Sequence, residues 1–283
     1  MVEILKDRQD VDKSTTAHVV EPKYPGVVER YVNLGECYHR EGLAGLREEI
    51  KACMKGYKGC YIQAYRCLRA AAEVEQDIRA TLMTPELEQR LGKRAQGILS
   101  RELKRKKGSE PGRVKQRFLG AVSHRGVLCL YDTVLCQCQR VYELSDRYGL
   151  GHELLTHLLT GAVNGGYDAV ACPDPICPDR LAHVLIPQCS LAFVTTTAEH
   201  PFPGENCRRL RLDAMADEEI LRRNRSRMRF VQKMSGALTE EAVELLRQAK
   251  AMHDDLEGLY HPYVDFDRVN EKAHMVAEEI LRL

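Results

Sequence analysis

Gln139-Arg-Val-Tyr-Glu-Leu144, then Ser145-Asp-Arg-Tyr-Gly149-Leu-Gly151, then His152-Glu-Leu-Leu-Thr-His-Leu-Leu159 is the stretch whose reading decides the fold. The first segment predicts a short strand and the second a Gly-bearing turn. The third predicts an amphipathic helix that ends near Gly161. A strand, a glycine turn and a helix in that order is where a phosphate loop sits. Such a loop needs G-x-x-x-x-G-K-[ST], so that backbone N–H groups wrap the phosphates, Lys neutralises them and the hydroxyl binds magnesium. Here the second glycine stands as Gly151, and Gly149 lies inside the loop. The first glycine is replaced by Asp146, the Lys by His152 and the hydroxyl residue by Glu153. Taken alone, the stretch reads as an ordinary βα turn, in which two carboxylates, Asp146 and Glu153, would face a phosphate instead of a cation and a hydroxyl.

Outward from this turn the texture is that of an α/β sheet of the doubly wound type. Phe118–Val122 and Val127–Tyr131, separated by Ser123-His-Arg-Gly126, predict a hairpin. Tyr167–Ala171 predicts a further strand after Gly165-Gly166, and Leu191–Thr196 a buried one. The tail predicts helices over roughly 217–233, 239–257 and 265–282. On the other side, residues 1–103 read as mostly helical. Apolar positions recur at helical spacing from Leu43 to Ile78, with Gly56 and Gly59 weakening the middle, and Thr84-Pro85 starts another helix to about Leu103. Residues 104–117 combine a basic run with Pro111-Gly112. They predict a basic linker between a helical region, 1–103, and an α/β domain, 118–283. A nucleic-acid patch is the sharper reading of that run. A solvated linker is favoured, because no aromatic residue interleaves the charges.

Two halves of the chain share a pattern. Pro25-Gly26, Arg30, Leu34, Leu68-Arg69, Ala71 and Asp77-Ile78 match Pro203-Gly204, Arg208, Leu212, Leu246-Arg247, Ala249 and Asp255-Leu256, all 178 positions apart. Thr15-Thr-Ala17 matches Thr196-Thr-Ala198 at a slightly longer offset. The spacing is too long for a solenoid unit and implies a duplicated domain. Some 80 residues of α/β sequence precede the match in the second copy but only fourteen polar-rich residues in the first. The first copy is therefore expected to lack its sheet and loop, leaving a helical remnant.

Composition narrows the partners. Apolar residues make up 44% and charged residues 29% of the 283, which excludes a disordered or collagen-like chain. No run of about 18 apolar residues exists, so no membrane partner is expected. The charged opening predicts no signal peptide, and with it a cytoplasmic location in which the eleven cysteines stay reduced thiols. Residues 1–117 carry 24 Lys+Arg against 17 Asp+Glu, and the remainder 18 against 24. Opposite signs favour docking, within the chain, in a homo-oligomer or with a partner protein, over a nucleic-acid footprint.

The chain resembles an uncharacterised bacterial, Firmicutes-type family of tandem P-loop NTPases with two ATPase-like halves. The likeness rests on Phe118–Gly126, the loop Ser145–Leu155, and Gly166–Val170 with Cys172–Pro187. It extends to Leu191–His200 and to Thr15–Glu36. The resemblance implies a P-loop NTPase-like sheet with flanking helices and a nucleotide, ATP, at Gly149, Gly151, His152, Glu153 and Thr195. Thr195 stands where the Walker B Asp belongs. With Lys, hydroxyl and Asp all replaced, the expectation is a degenerate Walker site. Nucleotide binding would be weak or lost, hydrolysis absent, and the role regulatory or scaffolding.

The alternative is a cysteine-based metal or redox protein on the same scaffold. Cys129, Cys136-x-Cys138, Cys172-x4-Cys177 and Cys189 fall in the second domain with His152, His157 and His183. Neither pair has the usual C-x2-C spacing of zinc ligands, so buried thiols are the simpler reading. No G-x-S-x-G elbow supports a serine hydrolase.

Overall fold

The fold is described from a computed structural model covering residues 16–17, 32–104, 110–197, 199–204 and 207–282. Most of the Thr15–Glu36 resemblance segment and residues 105–109 of the expected linker therefore lie outside the described residues. In chain order the elements are β1 Thr16–Ala17, β2 Val32–Asn33, α1 Arg40–Gly45, α2 Arg47–Leu82 and α3 Pro85–Glu102. Then come β3 Val114–Gln116, β4 Gly120–Ser123, β5 Gly126–Cys129, α4 Tyr131–Leu135, β6 Arg140–Ser145 and α5 Gly151–Asn164. β7 Ala169–Pro173, β8 Leu181–Ile186, β9 Leu191–Thr196 and β10 Cys207–Arg211 complete the strands. α6 Glu218–Arg223, α7 Arg225–Tyr260 and α8 Phe266–Leu281 end the chain.

Among the described residues, compactness groups those up to 57 with those from 251 onward, and 58–250 into a second, larger unit. The larger unit holds a six-stranded sheet in the order β10-β6-β9-β8-β7-β3. β10, β6 and β9 run parallel, as do β7 and β3, while β8 is antiparallel to both its neighbours. The architecture is thus mixed α/β with flanking helices. β9 has apolar residues on both faces: Leu191 and Phe193 join one core with α3, α5 and the near ends of α2 and α7. Ala192 and Val194 join a second core under α4 and Phe202. Burial on both faces removes the period-two alternation and leaves a continuous apolar run.

Three expectations need correction. β3 lies inside the stretch read as linker. All three of its residues are exposed, because an edge strand has no need of apolar residues and is commonly charged. The hairpin forms, but as a separate two-stranded sheet, and Tyr131 starts α4 instead of ending a strand. β8 was not anticipated: it follows a Pro-rich segment and carries His183, which hides its strand pattern. The expected break between 217–233 and 239–257 falls elsewhere: α6 is short, and α7 runs unbroken from Arg225 to Tyr260. Gly56 does not interrupt α2; a Cβ there would meet Met252 Sδ at 2.8 Å, so the glycine permits close packing of a neighbouring helix.

The helices echo the sequence repeat. α1 and α6, and likewise α2 and α7, have both of their bounds 178 positions apart. Ala64 and Ala242, one repeat apart, are both fully buried in one small cluster with Leu68 and Leu245. In the same unit Ser235 Oγ donates to Glu75, and Arg227 pairs with Asp77. In the smaller unit the Tyr57 and His253 rings meet at 5.5 Å. Tyr57 and His253 are the repeat equivalents of Ser235 and Glu75, so one pairing scheme recurs with different chemistry. α3 buries Leu87, Leu91, Ala95 and Ile98, whereas α8 buries none of its residues.

Candidate functional site

The parallel strands β6, β9 and β10 end side by side, with Ser145 opposite both Thr196 and Arg211. In open α/β sheets ligands bind beyond such carboxyl ends. The β6–α5 turn lies here, beside a cleft of about 230 Å³ whose lining includes Arg79, Tyr148, His152, Asp174 and Arg180.

What fills the turn is Asp146. Its side chain is buried, and its Oδ1 accepts the N–H of Leu150 at 2.9 Å and of Tyr148 at 3.2 Å. Its Oδ2 accepts the N–H of Gly151 at 2.6 Å, at the start of α5. A second carboxylate, Asp213, accepts the Arg147 N–H at 2.9 Å. Helix N-termini leave unsatisfied amides and a positive dipole end that attract anions. Here the chain supplies the anion itself. Burial pushes the Asp146 carboxyl up from its ordinary range, and the amides of Gly151 and Leu150 pull against that rise. Burial likewise raises Asp213, against the Arg147 N–H.

The structure brings Gly149, Gly151, His152 and Thr195 to the turn, gives the first three partners within the protein, and leaves Glu153 outside the cleft lining. Gly149 adopts a left-handed φ of 71°, and its carbonyl accepts from Arg180. Gly151 sits so close to the carboxylate that a Cβ would come within 2.9 Å of Asp146 Oδ2 and 3.2 Å of Thr195 Oγ1. His152 lines the cleft, but its Nδ1 already accepts the Leu181 N–H at 3.0 Å. Glu153 is half-buried in the first turn of α5, outside the cleft lining. Thr195 faces the turn from β9, and among the described residues its buried Oγ1 has no hydrogen-bond partner.

The cleft cations are also engaged. Arg79 pairs with Glu75 at 3.3 Å, and Arg147 donates to Gln232 Oε1 at 3.0 Å. A triphosphate here would need the amides that Asp146 and Asp213 hold. It would also face a buried carboxylate instead of a Lys. The residues present do not fit a phosphate-bound nucleotide in this turn.

In sequence Asp146 reads as a replaced glycine and a carboxylate that would face a phosphate, not as a cap of the turn. The overlooked signal was an Asp two residues before Tyr148, the spacing at which Asx side chains cap a following backbone N–H. Glu143 was overlooked too. It is buried on β6 and accepts from Thr196 Oγ1 at 3.0 Å, Cys207 Sγ at 3.2 Å and Arg209 Nε at 2.7 Å. Burial pushes its carboxyl up, but these three donors together outweigh it and hold the group below its usual range.

On the far face of the sheet, Cys129 Sγ lies 3.9 Å from His183 Nε2, and His183 Nδ1 accepts the Thr195 N–H at 3.1 Å. Burial depresses His183 to about 4 and lifts the thiols, Cys138 to about 11 and Cys172 to about 12. Reactive and metal-binding cysteines need the thiolate, so these environments suit packing thiols. Among the described residues no group of three or more His, Cys, Asp or Glu side chains is placed to hold a metal ion. Nor is any described helix long and apolar enough to cross a membrane.

No protein-family model matches the chain, and no curated protein or solved structure is detectably similar to it.

Proposed function

We propose that this chain is a P-loop NTPase-like protein whose nucleotide turn serves as a fixed structural junction, so that it acts as a scaffold or regulator without hydrolysing ATP. One observation carries the reading: the Asp146 carboxylate accepts the N–H groups of Tyr148, Leu150 and Gly151, the donors a phosphate would use. The replacement of Lys by His152 and of the hydroxyl by Glu153 supports it. So does the engagement of the cleft arginines with protein partners. The partner of such a scaffold is a second copy or another protein. The test is ATP turnover by the full chain with magnesium. The expected result is no turnover above background. A magnesium-dependent rate of about 1–100 per second, abolished by His152→Ala, would overturn the proposal.

A further inference from the structure

A second cavity lies away from the Asp146 turn, over the opposite end of the sheet. It is a groove of about 570 Å³, within the range of ligand sites. One wall is the edge strand β3 and its flanks. Side chains two apart on a strand share a face, and Arg113, Lys115 and Arg117 all line the groove. All three are exposed, and none has a carboxylate partner among the described residues. The Arg117 guanidinium donates to the Gln116 carbonyl, at 2.8 Å. The sole acid of the lining, Asp168, is committed through Oδ1 to the Arg113 N–H at 2.7 Å. Phe118 follows directly, 64% exposed, and lines the same groove.

An edge strand can carry charge merely to discourage strand pairing. That role asks for neither a groove nor an exposed aromatic ring beside it. Three cations in a row, spaced about 6.6 Å apart by the strand repeat, do not converge on one phosphate. They meet successive phosphates of an extended chain. A positively charged groove that tracks a backbone, beside an aromatic ring on which a base stacks, is how single strands are held without sequence preference. We infer that this groove binds single-stranded nucleic acid, with phosphates on Arg113, Lys115 and Arg117 and a base on Phe118. In sequence no aromatic residue interleaves the charges of 104–117; the groove sets Phe118, which follows the run, beside them.

The test is fluorescence anisotropy of a labelled 15-mer of oligothymidylate with the full-length protein across a salt series. The wild type is expected to bind, with affinity falling as salt rises. The exposed triple variant R113Q/K115Q/R117Q should reduce the slope of log affinity against log salt by about 2, from roughly 0.7 per lost phosphate contact. Phe118→Ala should weaken binding roughly five-fold or more and leave that slope unchanged. Circular dichroism of both variants should match the wild type. No binding by the wild type would overturn the inference, as would a triple variant that keeps the wild-type slope. Two further results would also overturn it: salt dependence lost only on neutralising Lys104, Arg105, Lys106 and Lys107, or thymidine monophosphate competing as well per phosphate as the oligonucleotide.

Discussion

The carboxylate of Asp146 caps the helix that Gly151 begins, with Oδ2 2.6 Å from the Gly151 nitrogen. The same Asp146 oxygens hold Leu150 and Tyr148, so one side chain satisfies three amides that the turn would otherwise leave open. Replacing it exposes all three. Asp146→Ala should cost about 2–4 kcal/mol, more than an ordinary surface cap, because the Leu150 and Gly151 donors are buried. Urea denaturation of the full chain measures this. A loss below about 0.5 kcal/mol would mean the turn does not depend on the carboxylate.

Gly151 is constrained by the same geometry rather than by its backbone angles. A methyl group there meets Asp146 Oδ2 and Thr195 Oγ1. Gly151→Ala should destabilise by about 1–3 kcal/mol as an overpacking change, despite the better helix propensity of Ala. If thermal melts show the variant more stable, the Asp146–Gly151 contact is looser than described.

His183 predicts an acid sensitivity. Its folded value of about 4 lies below the unfolded value near 6.5, so the unfolded chain binds the extra proton first. Its contribution is fully present above about pH 6.5 and is lost as pH falls toward 4, by about 3 kcal/mol in all. Denaturation midpoints of wild type and His183→Asn at pH 7 and pH 4.5 report it. The variant should lose less stability on acidification. Equal losses would place the acid sensitivity elsewhere.

Glu102 ties the end of α3 to two strands. Its side chain is buried, and it accepts from Tyr142 Oη at 2.6 Å while pairing with Arg140 and with Arg208. Glu102→Leu removes the charge and leaves the Tyr142 O–H without its acceptor, although Arg208 still donates to that oxygen at 2.9 Å, at a cost of about 1–3 kcal/mol. The combined variant with Tyr142→Phe should restore part of that loss. Strict additivity in a double-mutant cycle would show that the two groups act independently.

How much of this was readable beforehand follows from which residues carry each element. β6, the turn and α5 were readable because Gly149 and Gly151 punctuate an apolar strand and an amphipathic helix. β9 was readable because Leu191–Thr196 is apolar on both faces. β3 escaped because Arg113, Lys115 and Arg117 look like linker charges until β7 is seen to pair with them. β8 escaped because neither its Pro-rich approach nor His183 resembles strand sequence. The groove beside Phe118 could not be read at all, since it joins β3 to residues more than fifty positions away. The sequence places Gly149, Gly151 and His152 in the turn; it does not show that Asp146 bonds the turn's amides, because a sequence shows a substitution and only geometry shows what it bonds.

The most direct measurement of the central claim is an NMR titration of the full chain with magnesium ATP, following the amide signals of Tyr148, Leu150 and Gly151. If Asp146 holds these donors, their shifts stay unchanged to millimolar nucleotide. Saturable shifts of all three amides at micromolar ATP would contradict the account and return the turn to nucleotide binding.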